Sequence, residues 1–140
     1  MANDRLQIVN PASLDAPKGF SHGVLAPAEA RWLFVAGQVG TESTAPGAPA
    51  PNFPWQFGRA LDRVLVVVRE AGGQPADVVR MTVYVTNLKS YVSHREVLGE
   101  EWRRRFGRYY PAMTLVEVKS LVDEGAAVEI EATAMIGARG

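Results

Sequence analysis

Two runs of alternating apolar and polar residues in the C-terminal part of the chain constrain its fold more than any other feature. Residues 128–136 read VEIEATAMI, and residues 113–119 read MTLVEVK. Alternation with a period of two is the signature of a β-strand, because successive side chains point to opposite faces of a sheet. The intervening DEG at residues 123–125 is typical of a turn. We therefore predict two strands that form a long C-terminal hairpin.

One face of this predicted hairpin has an unusual composition. The alternation groups Glu129 and Glu131 with Glu117, and it is expected to set Met113 and Leu115 beside them. Such a face is too apolar for open water and too polar for the core of a monomer. A subunit interface that contains functional polar pockets reconciles both properties.

The rest of the chain adds three strands, a helix, a strand and a second helix, in that order. The predicted strands cover residues 5–9, 20–25, 31–36 and 78–86, and the predicted helices cover residues 54–71 and 87–107. Both helices are amphipathic, so they are expected to cover the apolar side of one sheet. The 78–86 strand adds Arg80, Thr82 and Tyr84 to the polar side. The whole chain, residues 1–140, is predicted to form a single α+β domain with a mixed six-stranded sheet and two helices on one face.

Composition excludes several classes of function. The 140 residues include no cysteine and only two histidines, so no disulfide framework, thiolate metal site or structural zinc site is expected. Lys and Arg together number 15, and so do Asp and Glu, so no net charge draws the molecule to nucleic acid or to an anionic membrane. Neither a signal peptide nor a membrane-spanning stretch is recognisable, and a soluble, cytoplasmic protein is expected.

Two glycines follow the predicted third strand. Residues 37–42 read GQVGTE, which matches neither the dinucleotide-binding motif nor the Walker motif. We therefore interpret Gly37 and Gly40 as positions where the backbone bends or closely approaches another segment. The loop over residues 41–54 contains four prolines and is predicted to be extended or mobile.

Several short motifs occur in order along the chain. They are GFSH at residues 19–22, VAGQV at residues 35–39, AGG at residues 71–73, YPAMTLVEV at residues 110–118 and VEIEA at residues 128–132. In this order they resemble the Rid family (reactive intermediate deaminases, also called endoribonuclease L-PSP). The resemblance implies a chorismate-mutase-like fold and a homotrimer with small-molecule clefts between subunits. It also implies hydrolysis of enamines or imines to a carbonyl compound and ammonia, without a metal or organic cofactor.

The resemblance also assigns residues to the cleft. Glu129 matches the acidic residue that holds or activates water in the family. As a general base it would need a neighbour that tunes its proton affinity or donates a hydrogen bond. As an ordinary strand carboxylate it would instead pair with Lys119 or Arg80. The other residues that match substrate-binding positions are Phe20, Ser21, His22, Ala36, Gly37, Arg95 and Met113.

Four of these positions depart from the family's deaminases. Met113 stands where those enzymes carry an arginine that clamps the substrate carboxylate. Losing such a partner in a closed cleft costs roughly 2–5 kcal/mol, so hydrolysis of 2-aminoacrylate and 2-iminobutanoate is predicted to be weak or absent. Phe20 replaces a tyrosine, and His22 replaces a common glutamine and is a candidate proton carrier. Arg95 replaces an asparagine of some members and is a candidate substitute for the missing cation.

Two other functions stay open at the level of the sequence. A non-catalytic trimer that binds a small ligand or has a regulatory role would keep the same fold and cleft. A ribonuclease is suggested by the family's older name and by the basic run at residues 103–105 together with Arg108. Glu100 and Glu101 precede that run at helical spacing, which favours a salt-bridged, solvent-exposed face over a nucleic-acid site.

Overall fold

The computed structural model describes residues 6–41 and 47–137. The strands are β1 (Gln7–Val9), β2 (Gly23–Leu25), β3 (Arg31–Val39), β4 (Val78–Val85), β5 (Ala112–Glu117) and β6 (Val128–Ile136). The helices are α1 (Phe53–Glu70), α2 (Leu88–Ser93) and α3 (Arg95–Phe106), and a single 3-10 turn, Pro75–Asp77, precedes β4. The order of elements is as predicted, except that the second helix is divided. The start of the first predicted strand and part of the predicted 41–54 loop lie outside the described residues.

The six strands form two sheets. β1 and β2 pair as a short antiparallel ribbon, and the other four strands form a mixed sheet in the order β3-β6-β4-β5. β6 is antiparallel to both β3 and β4, whereas β4 and β5 are parallel. The α+β class is confirmed, but the prediction of a single six-stranded sheet is wrong. The segment before β2 makes one isolated backbone pair with β5, between Ser21 and Ala112, and the ladder does not continue from there.

The predicted C-terminal hairpin is also wrong. β4 lies between β5 and β6, so that Val83 pairs with Leu115 on one side and with Ile130 on the other. Alternation correctly predicts both strands, but it carries no information about which strands are neighbours. The connection over residues 118–127 is long enough to cross β4. In addition, α2 and α3 provide the crossover that parallel pairing of β4 with β5 requires.

This change of partners moves Met113 to the opposite face of the sheet from Glu129. Paired residues in neighbouring strands share a face, and Met113 pairs with the fully buried Met81. Glu129 instead pairs with Tyr84 on the open face. The prediction that Met113 lies beside Glu129 is therefore wrong within one chain. It is wrong in the same way for Leu115 and Glu117, which follow Met113 on the helix-covered side.

The core lies between the helices and the covered face of the four-stranded sheet. Asn52 begins α1 by accepting a hydrogen bond from the backbone N–H of Trp55 (2.9 Å), and Gly72 and Gly73 end this helix as predicted. The predicted apolar stripes of both helices are confirmed. The buried residues along them are Phe57, Leu61, Val64, Leu65 and Val68 in α1, and Leu98, Trp102 and Phe106 in α3.

The predicted second helix divides at His94 into α2 and α3. Asn87 begins α2, since its side chain accepts a hydrogen bond from the backbone N–H of Ser90 (3.0 Å). The carbonyl oxygen of Ser90 is contacted by His94 Nδ1 at 2.7 Å and by Ser93 Oγ at 3.0 Å. These side chains compete with the backbone for that carbonyl, which favours a helix end. The break makes Arg95 the first residue of α3.

Close backbone approach at Gly40 is confirmed. A Cβ atom at this position would lie 2.3 Å from the backbone oxygen of Gln56 in α1, so glycine lets the end of β3 pack directly on the helix. Gln56 is itself buried. Its amide donates to the carbonyls of Pro51 (2.9 Å) and Gly125 (3.0 Å) and accepts from the N–H of Ala127 (2.8 Å). This side chain ties the loops before α1 and before β6 to the helix.

Candidate functional site

A pocket of about 500 Å³ opens on the helix-covered side of the molecule, between α1, α2, α3 and the start of β5. Met113 and Arg95, two residues predicted for the cleft, both line this helix-side pocket. Met113 is half-buried at the strand end, whereas Arg95 is exposed at the helix end. The strand end of the pocket therefore presents a thioether, which offers no hydrogen-bond donor.

Aromatic side chains form one wall of the helix-side pocket. Trp102 stacks on Tyr110 with ring centroids 5.7 Å apart and planes 6° apart, and on Phe106 at 4.1 Å and 12°. The indole N–H of Trp102 donates to a backbone carbonyl (3.0 Å), which fixes the ring. Phe57 and Tyr91 extend the wall. The stacked rings make this wall rigid. Trp102 and Phe57 are almost fully buried, so the half-buried Tyr91 and Tyr110 provide most of its accessible aromatic surface.

Basic side chains contribute to the lining of the same pocket. Lys18, Arg95 and Arg103 line it, and no acidic side chain of the described residues does. The sequence reasoning missed Lys18 and Arg103. The four-residue spacing of Arg95, Gly99 and Arg103 along α3 is a signal for the second of them, because residues i and i+4 share one face of a helix.

The segment at residues 20–22 lies beside β5. None of these three residues lines the helix-side pocket, although the preceding Lys18 and Gly19 do. Ser21 is buried, and its hydroxyl donates to the carbonyl of Tyr110 (2.6 Å). The rings of Phe20 and His22 meet edge to face at 5.2 Å. His22 Nε2 lies 2.8 Å from the carbonyl oxygen of Asp15. In this conformation Ser21 ties the segment to β5, and the His22 ring is engaged by a backbone group.

On the open face of the sheet, Glu129 lies directly against Gly37. The ladder between β3 and β6 is interrupted between Val35 and Gln38, so Ala36 and Gly37 form a bulge. A Cβ atom at Gly37 would lie 2.8 Å from Cδ and Oε1 of Glu129, so the carboxylate packs where a side chain would otherwise be. Bulges of this kind expose backbone groups and often occur beside active sites. Three predicted cleft residues, Ala36, Gly37 and Glu129, thus lie together, and we refer to this cluster as the sheet-side half-site.

A tyrosine and a second carboxylate lie next to this half-site. Tyr84 pairs with Glu129 across the β4–β6 ladder and forms a side-chain hydrogen bond with Glu131. Partial burial, followed by the negative charge of Glu131, raises the pKa of Tyr84 above its ordinary value. The hydroxyl of Tyr84 is therefore less acidic than that of an ordinary tyrosine. A cavity of about 210 Å³, lined by Arg80, Thr82 and Glu131 among others, adjoins it.

The helix-side pocket and the sheet-side half-site lie on opposite faces of the same sheet. Met113 belongs to the covered face and Glu129 to the open face, so the two groups cannot contact one substrate within a single chain. The open face also carries large exposed aromatic side chains: Trp32 is 66% exposed and Phe34 is 72% exposed. An exposed apolar patch of this kind typically marks a contact surface.

Within residues 6–41 and 47–137, no helix is long and apolar enough to cross a membrane. In the same part of the chain, no group of three or more His, Asp or Glu side chains is arranged to hold a metal ion.

The fold is a mixed four-stranded sheet covered on one face by helices, with a pocket of about 500 Å³ beside the start of β5. The sequence profile of the family described as endoribonuclease L-PSP matches residues 11–136. The chain therefore belongs to this family, and the resemblance drawn from the motifs is confirmed.

Individual relatives agree with this assignment. A RutC family protein of Pyrococcus abyssi is 30% identical over 119 residues, which are 85% of this chain and 90% of that protein. The Rid family protein YyfB of Yersinia pestis, whose function is unknown, has a TM-score of 0.74 at 29% identity, over 94% of this chain and 99% of its own. TdcF of E. coli, solved with bound serine, has a TM-score of 0.62 at 25% identity, over 86% of this chain and 90% of its own.

Proposed function

We propose that this protein hydrolyses a small imine or enamine, and that its active site is assembled between copies of the chain in a homotrimer. The separation of the two half-sites on opposite faces of one sheet is the observation that carries the proposal. Head-to-tail packing would set the sheet-side half-site of one copy against the helix-side pocket of the next, and a ring of three copies closes this arrangement. The exposed Trp32 and Phe34 would then be covered. The serine bound to the related TdcF supports a small ligand.

Glu129 is the proposed catalytic group. In the reaction, a water oxygen adds to the carbon of the C=N bond while Glu129 accepts the water proton. That proton then passes to the nitrogen, which gives a carbinolamine. The hydroxyl proton of the carbinolamine also moves to the nitrogen as the C–N bond breaks, and a carbonyl compound and ammonia leave. An enamine first tautomerises to the imine by moving a proton from nitrogen to carbon. Glu129 packs against Gly37, so a tetrahedral intermediate formed at Glu129 would lie beside the Ala36–Gly37 bulge. The backbone groups exposed at this bulge would then offer polar contacts to the intermediate.

Met113 sets the substrate class in this proposal. An arginine at this position would meet a substrate carboxylate with two parallel charge-assisted hydrogen bonds, which a methionine cannot form. The protein should therefore hydrolyse 2-aminoacrylate and 2-iminobutanoate slowly or not at all. Introducing Met113→Arg should raise that rate by at least about tenfold, because a charge-assisted hydrogen bond contributes about 1.5–3 kcal/mol.

A coupled dehydratase assay tests the proposal. Wild type, Met113→Arg and the double variant Met113→Arg with Glu129→Gln are compared for release of 2-oxobutanoate. Glu129→Gln should abolish the gain, whereas Glu131→Gln, which removes the same charge two residues along the same strand, should leave most of it. Hydrolysis by wild type at the rate of an arginine-bearing relative would contradict the role given to Met113.

The alternative is a non-catalytic trimer that binds a small ligand or has a regulatory role. The Glu129→Gln variant distinguishes it from the enzyme: the enzyme would lose its turnover, whereas the non-catalytic trimer would still bind its ligand and would show no turnover before or after the substitution.

A ribonuclease is less well supported. Arg104 contacts Glu101 at 3.0 Å, and Arg105 contacts Asp62 at 2.6 Å and Glu101 at 2.7 Å. The salt-bridged face predicted for this run is thus present at Arg104 and Arg105. Cleavage of RNA with a salt-dependent rate abolished by Arg104→Ala would restore the ribonuclease hypothesis.

A further inference from the structure

α3 carries a stripe of two arginines with a glycine between them. Arg95, Gly99 and Arg103 are spaced by four residues, so they lie on one face of the helix, and all three line the helix-side pocket. A glycine inside a helix costs about 0.5–1 kcal/mol relative to alanine. The stripe therefore places two like charges on either side of a glycine, at a cost in helix stability.

The gap at Gly99 is occupied by Arg103. A Cβ atom at Gly99 would lie 3.0 Å from Nη1 of Arg103, so the guanidinium folds back along the helix by about one turn, in the direction of Arg95. Lys18 adds a third positive charge to the lining. Converging like charges in a concave site create a potential that attracts an anion.

Among the described residues, no carboxylate forms a salt bridge with Arg95 or Arg103. Within the described part of the chain, the salt bridges of this helix belong to Arg104 and Arg105, and Arg103 takes part in none of them. Arg95 lies over the ring of Tyr91 at 6.0 Å, a contact that leaves its N–H groups available. Arg104 and Arg105 are thus paired with carboxylates, while Arg103, the residue of this run that lines the pocket, is in none of these salt bridges.

We propose that the helix-side pocket binds a flat, aromatic anion whose negative group is held by Arg95 and Arg103 and whose ring packs between the aromatic wall and Met113. The polarity of the pocket fits this ligand, with an apolar end at β5 and a cationic end at α3. Its volume of about 500 Å³ lies in the range of pockets that take ligands much larger than a three-carbon imino acid. This inference rests on the proposed function only in treating the pocket as the substrate-binding half of the site.

Benzoate is a suitable probe, with benzamide as the uncharged control of the same shape. Binding to the full-length protein is followed by NMR through the indole N–H of Trp102, which lines the pocket. Benzoate should bind at least about tenfold more tightly than benzamide, and Arg95→Gln and Arg103→Gln should each weaken it about tenfold. Arg104→Gln is the matched control on the same helix, since Arg104 faces solvent with 65% of its side chain exposed, and it should leave benzoate binding unchanged.

Equal binding of benzoate and benzamide, or equal losses in the Arg103→Gln and Arg104→Gln variants, would overturn the inference. Arg103→Lys, which keeps the charge, should retain most of the affinity and guards against a folding defect. The test is independent of catalysis, because Glu129→Gln should still bind benzoate. Benzoate binding without hydrolysis of any imine would refute the proposed enzyme and leave this inference standing. Hydrolysis of an imine by a protein that does not bind benzoate would support the proposed enzyme and refute this inference.

Discussion

Replacing the buried Gln56 with leucine should destabilise the fold by about 2–4 kcal/mol. The substitution keeps a similar volume but removes the partners of the Pro51 and Gly125 carbonyls and of the Ala127 N–H. Each buried polar group left unpaired costs about 1–3 kcal/mol. Gly125 is exposed, so water replaces part of the loss at its carbonyl. The effect matters for function because these bonds hold the loop that leads into β6 and Glu129.

Urea unfolding followed by circular dichroism measures this loss of free energy. In a separate thermal unfolding experiment, the melting temperature should fall by about 4–16 °C. Gln56→Glu is a sharper control. The new carboxylate keeps an acceptor for Ala127 but faces the two carbonyls, and burial raises the pKa of that carboxyl. This variant should therefore be most stable at acidic pH and lose stability as pH rises through the raised pKa. A loss below about 1 kcal/mol for Gln56→Leu would refute the assignment of three partly buried hydrogen bonds to this side chain.

Three further predictions concern single residues. Gly40→Ala should lower the free energy of unfolding by about 1–3 kcal/mol or more, because its Cβ would meet the backbone of Gln56 rather than a mobile side chain. Gly99→Ala should instead raise the free energy of unfolding by about 0.5–1 kcal/mol, because alanine favours the helix and the Arg103 side chain can move aside for the new methyl group. The same displacement of Arg103 should weaken benzoate binding. Burial raises the pKa of Tyr109. Stability should thus fall as pH rises above about 10, and alkaline unfolding should show a smaller fall in Tyr109→Phe.

The sequence predicts the elements of this fold better than their arrangement. Apolar periodicity correctly places α1 and both C-terminal strands, because burial of one face is imposed on each element separately. It fails for the pairing of β5, because a strand that alternates fits beside any neighbour of matching pattern. The single error of assuming a hairpin carried Met113 to the wrong face and so merged two half-sites into one.

The candidate site shows the same limit. Glu129 and Gly37 were found through the family motifs, and they do meet in space. Lys18 and Arg103 were missed, because most arginines and lysines on a surface helix or loop do not bind a ligand, and the sequence does not mark those that do. Arg103 differs from Arg104 because its side chain extends back along α3 over Gly99 and lines the pocket. This orientation depends on the glycine and on the position of the helix beside β5, and neither effect can be read from the arginine run itself.

Cross-linking tests most directly whether the active site is assembled between chains. The protein has no cysteine, so the double variant Ala36→Cys with Arg95→Cys carries one thiol in each half-site and no others. A short bis-maleimide at low protein concentration should join chains into covalent dimers and into trimers of three times 15.2 kDa. Ala36→Cys paired with Glu124→Cys serves as the control. Monomers that carry the reagent without joining, or equal joining in the control pair, would contradict the account.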